Sequence, residues 1–191
     1  MRCFIAVDID ENIKARLAEV AGRIADQCSI KRRDVKWVKP EIIHLTLKFL
    51  GDIPNERSVD VCNAVESACE NHNIFEIEIA GIGYFGGRSA RVIWAGIDGG
   101  SEQLGLLAGD IDIQLAEEGF SPEKRKFSGH LTLARVKNFT AGIKLAGICD
   151  KAEFQDFNAG SSCVDSVKVY QSELTQTGPV YTVLADYRLS K

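Results

Sequence analysis

The tetrapeptide His-Leu-Thr-Leu occurs twice, at His44-Leu45-Thr46-Leu47 and at His130-Leu131-Thr132-Leu133. The copies stand 86 positions apart, a little under half of the 191-residue chain. Only three histidines are present, and two of them hold the same position of the repeated motif. On a β-strand, residues i and i+2 project to one face while i+1 and i+3 project to the other. Each copy, read as a strand, therefore buries two leucines and presents an imidazole and a hydroxyl on the opposite face. Each copy also follows an amphipathic helical segment. The expectation is a chain folded as two similar lobes whose motif strands face one cleft.

The segments around the motifs fit that plan. Residues 2–8 are apolar and β-rich, and Ile13, Leu17, Val20 and Ile24 then recur at helical spacing, with Asp10 placed as N-cap and Glu11 in the first turn. Residues 29–36 are polar and basic and read as a connection, followed by a strand over 42–50 that ends at Gly51-Asp52. A helix over 56–71 carries Val61, Cys62, Val65, Ala68 and Cys69 on one stripe. Phe75, Ile77 and Ile79 alternate with Glu76 and Glu78 as a strand with one wet face. Gly81, Gly83, Gly86 and Gly87 suggest a turn before a strand over 91–97. A third helix, capped by Ser101, turns Leu104, Leu107, Ile111 and Leu115 inward and stops at Gly119. Strands over 127–136, 164–170 and 181–189 complete the chain, with an irregular or short helical piece after the first and Gly178-Pro179 joining the last two. Adjacent strands interleaved with helices imply an α+β fold with largely antiparallel sheet. Nothing Pro- or Ser-rich divides the chain, so residues 1–191 are expected to form one bilobal domain.

Composition narrows the function classes. The charged fraction is 26% and the hydrophobic fraction 45%, values of ordinary globular chains and not of disordered tails or rods. No run approaches eighteen apolar residues, and the segment after Arg2 meets Asp8 too soon for a signal-peptide core. A cytoplasmic location with no membrane association is expected. A net charge of -4 argues against a general nucleic-acid coat, which needs a basic excess, but leaves room for a local basic groove. Six cysteines without a CxxC pair are expected to be reduced and mostly buried, with no zinc motif.

Two imidazoles and two hydroxyls converging on one cleft supply a general acid, a general base and neutral donors for an anionic group. That set suits cleavage of a phosphoester: one imidazole takes a proton from the attacking water and the other gives one to the departing oxygen. Arg135, five residues after His130, is an available cation. On a regular strand position i+5 falls on the wrong face, so a bulge or a bend at the strand end must re-aim Arg135 if it serves the phosphate.

The chain resembles the two-histidine (2H) phosphoesterase superfamily and, within it, the RNA 2′,3′-cyclic phosphodiesterases historically called 2′-5′ RNA ligases. The resemblance runs through Arg2-Cys3-Phe4-Ile5-Ala6-Val7, His44-Leu45-Thr46-Leu47-Lys48-Phe49-Leu50-Gly51 and Arg91-Val92-Ile93-Trp94-Ala95-Gly96-Ile97. It continues through Phe127, His130-Leu131-Thr132-Leu133-Ala134-Arg135 and Gly178-Pro179-Val180-Tyr181-Thr182-Val183-Leu184, so it covers essentially the whole chain in order. Gly129 departs from it, since many relatives carry proline before the second histidine. The resemblance implies two pseudo-symmetric lobes of mainly antiparallel sheet flanked by helices, with a central cleft. It implies metal-independent hydrolysis of RNA 2′,3′-cyclic phosphate ends to 2′-phosphates without a cofactor. His44 is then the proton donor, His130 the proton acceptor, and Thr46 and Thr132 bind the phosphate; the motif's symmetry alone leaves donor and acceptor open. The expected partner is RNA bearing a cyclic phosphate end, tRNA halves among the candidates, bound by a monomer.

The alternatives are the reverse reaction, joining RNA ends through a 2′-5′ linkage; cleavage of another 2′-5′ or cyclic phosphate; and a non-catalytic RNA-end binder. Two basic clusters, Lys31, Arg32, Arg33, Lys36 and Lys39 before the first motif and Lys124, Arg125 and Lys126 before the second, are either solvated faces or one rim of the cleft along which RNA runs. Arg91 is a candidate substrate contact, Trp94 a core residue, and Phe4 or Tyr84 a candidate base-stacking ring. His72 has no catalytic context.

Overall fold

A computed structural model describes every residue except Arg32 and Thr177, so that member of the first basic cluster lies outside the described residues. The chain runs β1 (Arg2–Val7), α1 (Glu11–Asp26), β2 (Val35–Trp37), β3 (Leu45–Asp52), α2 (Ser58–Cys69), β4 (Phe75–Phe85), β5 (Val92–Ile97) and α3 (Ser101–Glu117). It continues through β6 (His130–Val136), α4 (Phe139–Cys149), the short α5 (Ala152–Gln155), β7 (Asn158–Val164), β8 (Ser166–Thr175) and β9 (Gly178–Arg188). Short 3-10 turns at Pro40–Ile42 and Asn55–Arg57 precede β3 and α2.

Among the described residues the nine strands form one antiparallel sheet in the order β7-β4-β5-β6-β3-β1-β8-β9, with β2 paired to β6. β3 and β6 touch at one pair, Leu45 opposite Leu131. These are the second residues of the two motifs, so the repeat sits on the seam where one four-stranded half, β3-β1-β8-β9, meets the other, β6-β5-β4-β7. Helices α2 and α3 pack behind the first half, and α1 and α4 behind the second. The expected α+β class and antiparallel pairing are both present.

Two hydrophobic clusters occupy opposite faces of the sheet. Cys3, Ile5 and Val7 of β1 join Leu45, Leu47, Leu131 and Leu133 and the inner helix residues in the main core. Phe4 and Ala6, the alternate residues of β1, lie with Tyr170 on the other face. The 3.6 and 2.0 periodicities thus place the helix and strand core residues as read from the sequence.

Four stretches differ from expectation. Val35, Lys36 and Trp37 form β2 where a connection was expected, because they complete the edge of β6. β4 runs through Gly81 and Gly83 to Phe85; Gly81, at φ 69°, sits at a register shift against β5, and only Gly86 and Gly87 make the turn. The piece after β6 is the eleven-residue helix α4. β7 is an added strand against β4. Asp10 does stand at the N-cap of α1, but its carboxylate accepts from the Cys163 amide of β7 and makes no bond within the helix. The N-cap of α3 is Gly100, at φ 76°, with Ser101 the first helical residue. Cys3, Cys69 and Cys149 are buried and all six cysteines are free thiols; burial pushes the Cys3 thiol up to about 11 and Cys69 and Cys149 up to about 12. No helix among the described residues is long and apolar enough to cross a membrane.

Candidate active site

The register of the two motif strands is the same. Thr46 lies opposite Ala6 of β1, and Thr132 lies opposite Trp94 of β5. Both ladders then skip a residue, so that Lys48 is the next partner on β3 (with Ile5) and Ala134 the next on β6 (with Ile93). Each skip is a bulge that leaves two consecutive residues buried, Leu47 with Lys48 and Leu133 with Ala134. The sixth residue of each segment therefore returns to the face of the histidine and threonine. On β6 that residue is Arg135, which the bulge re-aims in the manner the sequence required. On β3 it is Phe49, half exposed, paired with Phe4 and with the Arg2 guanidinium 4.8 Å from its ring centre.

The imidazoles are held alike. His44 Nδ1 lies 2.9 Å from the Ile42 carbonyl oxygen and His130 Nδ1 lies 2.8 Å from the Ser128 carbonyl oxygen. A carbonyl only accepts, so each Nδ1 carries the proton and donates it, which leaves each Nε2 free to take or give a proton. His44, His130, Thr46 and Thr132 thus share one face of the sheet beside the Leu45–Leu131 junction, with Arg135 alongside.

The surroundings differ. His44 stacks on Phe4 at 4.8 Å and meets the edge of Tyr181 at 5.3 Å. Phe4 stacks in turn on Tyr170 at 5.1 Å. The Tyr170 hydroxyl donates to Asp8 Oδ1 at 2.7 Å and Lys168 donates to Asp8 Oδ2 at 2.6 Å. Burial lowers the His44 pKa below its ordinary value; the Ile42 carbonyl and the Asp8 charge oppose the fall, and Lys14 and Arg135 add to it. Burial pushes the Asp8 carboxyl up, but the bonds from Lys168 and Tyr170 outweigh it and hold it below the usual carboxylate range. A hollow of about 360 Å³ opens beside His44, with Asp8, Glu41, Tyr170 and Tyr181 on its walls.

His130 meets the edge of Phe85 at 5.0 Å. Phe85 lies 5.3 Å from Trp94, whose ring rests on Gly83: a Cβ there would come within 2.3 Å of the indole. Trp94 therefore lines the cleft floor instead of joining the core, and its Nε1 has no partner among the described residues. Tyr84 points away, with its hydroxyl donating to Asp150 at 3.3 Å, so its neighbour Phe85 is the ring on the cleft face. A larger hollow, of about 700 Å³, lies between α3 and residues 123–129 and holds none of the motif histidines or threonines. His72, 2.7 Å from Asp110, ties the end of α2 to α3.

Of the basic clusters, Lys36 stands opposite Arg135 near the last residues of β6, whereas Lys124, Arg125 and Lys126 precede its first residue. Gly129 is close-packed: a Cβ there would come within 2.8 Å of Leu104 Cδ2. No sequence pattern marks Tyr170, Asp8 or Phe85 for the site; their only signal is position on or beside strands whose sheet neighbours the sequence does not specify.

The family model described as LigT like phosphoesterase matches residues 7–94 and 97–181. The chain is 36% identical over 190 residues to the RNA 2′,3′-cyclic phosphodiesterase of Methanothermobacter thermautotrophicus, covering 99% of both chains. It is 32% identical to the protein of the same name from Thermotoga maritima, covering 96% of this chain and 93% of that one. Among solved structures it resembles TT0787 of Thermus thermophilus, with TM-score 0.79, 28% identity and 99% and 98% coverage. The fold is also that of E. coli LigT complexed with 3′-AMP, with TM-score 0.78, 23% identity and 100% and 98% coverage.

Proposed function

The chain belongs to the LigT-like phosphoesterase family, and on that premise we propose that it hydrolyses 2′,3′-cyclic phosphate ends of RNA to 2′-phosphomonoesters. The observation that carries the proposal is the seam: two His-Leu-Thr-Leu strands meet at Leu45 and Leu131, each with its Nδ1 tied to a carbonyl and its Nε2 free. His130 Nε2 takes a proton from water as the water oxygen attacks phosphorus. His44 Nε2 gives a proton to the departing 3′ oxygen, and the phosphate remains on the 2′ oxygen. Donor and acceptor are assigned as in the family. Thr46 and Thr132 hydroxyls donate to the non-bridging oxygens, and Arg135 balances the charge that grows there. Each well-placed proton-transfer group contributes roughly a hundredfold to ten-thousandfold in rate. No metal takes part in this scheme, and the protein works as a cytoplasmic monomer on RNA ends, those of tRNA halves included.

The test is incubation with an RNA oligonucleotide ending in a 2′,3′-cyclic phosphate, in EDTA and with or without a 5′-hydroxyl RNA. A 2′-phosphate product in EDTA supports the scheme. Loss of turnover on chelation overturns metal independence, a joined 2′-5′ product as the main species makes the protein a ligase, and tight binding without turnover makes it an end binder.

A further inference from the structure

Lys36 and Arg135 stand directly opposite each other on β2 and β6, both exposed. Directly opposed residues project to the same side of a sheet, so both face the cleft, as the burial of Val35 and Ala134 on the other side requires. Like charges in this position destabilise a strand pair. Among the described residues neither forms an ion pair with a carboxylate.

The same corner gathers further cations. The Lys137 amide donates to the Asp34 carbonyl at 2.8 Å and the Val136 amide donates to the Arg91 carbonyl at 2.8 Å. Arg33 adjoins Asp34, and Arg88 occupies the turn from β4 to β5. Arg33, Arg88, Arg91 and Lys137 are exposed and likewise form no ion pair with a carboxylate among the described residues. Half-exposed Asp34 is the acid among them. The opposite end of β6 is different. There Glu123 and Asp112 share the 700 Å³ hollow with Arg125 and Lys126, and Glu123 accepts from the Lys124 and Arg125 amides. In a chain of net charge -4, this group of exposed cations beside Arg135 is a local site of attraction for a polyanion.

We propose that the RNA chain leaves the cleft over this corner, with Lys36 holding the phosphodiester on the 5′ side of the cyclic end while Arg135 serves the reacting phosphate. Single-stranded RNA longer than one nucleotide is then the substrate class, and Arg33 and Lys137 continue the track. The inference rests on the proposed cyclic phosphodiesterase reading.

The experiment compares Lys36→Glu, Arg125→Glu and the unmodified protein on a 2′,3′-cyclic mononucleotide and on a short RNA oligonucleotide ending in the same group. Lys36→Glu is expected to raise the oligonucleotide KM about tenfold more than the mononucleotide KM, and to make the dependence of log KM on log salt shallower by roughly 0.7. Arg125→Glu is expected to do neither. Equal effects of Lys36→Glu on both substrates, or an oligonucleotide effect of Arg125→Glu as large as that of Lys36→Glu, overturns the path. If the unmodified protein hydrolyses neither substrate, the activity has failed. Fluorescence anisotropy of an RNA oligonucleotide ending in a 2′-phosphate then reads the path directly: weaker binding by Lys36→Glu alone supports it, and unchanged binding refutes it. Matching thermal melts establish that each variant is folded.

Discussion

His44 and His130 hold equivalent places in the two halves of the sheet, yet His44 lies among Phe4, Tyr170 and Tyr181 while His130 meets the edge of Phe85. The equivalence extends outward through the register. Ala6 of one half corresponds to Trp94 of the other, Phe49 to Arg135, and Tyr170 to Phe85, since each member pairs with the matching neighbour. The shared part is backbone: strand pairing, the bulge, and the carbonyl that receives Nδ1–H. The divergent part is side chains, and it sets the electrostatics. A duplicated scaffold thus supplies two imidazoles in equivalent positions, and the side chains around them make one end aromatic and acidic and the other end cationic.

The largest effect should come from the shared part. Replacing either His44 or His130 by Ala should lower kcat/KM by roughly a hundredfold to ten-thousandfold while leaving the protein folded, since neither imidazole belongs to the main hydrophobic core. Near-full activity in either variant would break the equivalence of the two histidines. Next, Arg135→Ala should lower kcat/KM about tenfold to a hundredfold through loss of a charge-assisted contact to phosphate. Phe49→Ala, at the matching position, should cost less, and the reverse ranking in parallel assays would overturn the assignment of phosphate to the Arg135 end.

Gly83→Ala tests the floor of the His130 half. Its Cβ would come within 2.3 Å of the Trp94 ring, so overpacking should destabilise by roughly 1–3 kcal/mol and shift tryptophan fluorescence. An unshifted melt and spectrum would mean that Trp94 does not lie where the register places it. The smallest effect concerns pH. The Asp8 charge raises the His44 pKa, so Asp8→Asn should move the limb of kcat/KM governed by the proton donor to lower pH. The donor form is present below that pKa and lost above it. A limb that stays in place, or moves upward, would place the donor elsewhere than His44. Stability gives a second reading. Asp8 is held below its unfolded value, so its contribution is present above that value, about 3.9, and is lost as pH falls through the folded one. The Asn variant should therefore show a flatter dependence of melting temperature on pH in acid.

Much of this was legible along the chain wherever a periodicity was long. The helix stripe of Ile13, Leu17, Val20 and Ile24 and the alternation in both motif strands are local patterns, and both are buried as read. Short or glycine-rich elements were not legible. β7 is spelled Asn158-Ala159-Gly160-Ser161-Ser162-Cys163-Val164, which has loop chemistry and becomes a strand by pairing with β4. The extent of α4 is hidden by Gly142, where the helix approaches the β4–β5 connection closely: a Cβ would meet Ser89 Oγ at 2.2 Å, and the Gly142 carbonyl accepts from the Ala90 amide. The three-residue spacing from Arg91 alone points Trp94 to the opposite, core face, whereas Trp94 pairs with Thr132 and Gly83 on the neighbouring strand leaves its ring room to lie across the cleft floor.

By itself the sequence determined the pair of motif strands, the face on which each presents its histidine and threonine, and the requirement for a bulge if Arg135 was to join them. Those follow from bond geometry repeated every two residues, which needs no knowledge of neighbours. Only the tertiary structure decided that the bulge is present, that Tyr170, Tyr181 and Asp8 surround His44, and that Lys36 stands opposite Arg135. Each of these depends on which strands become adjacent, and that is settled by burying the whole core at once.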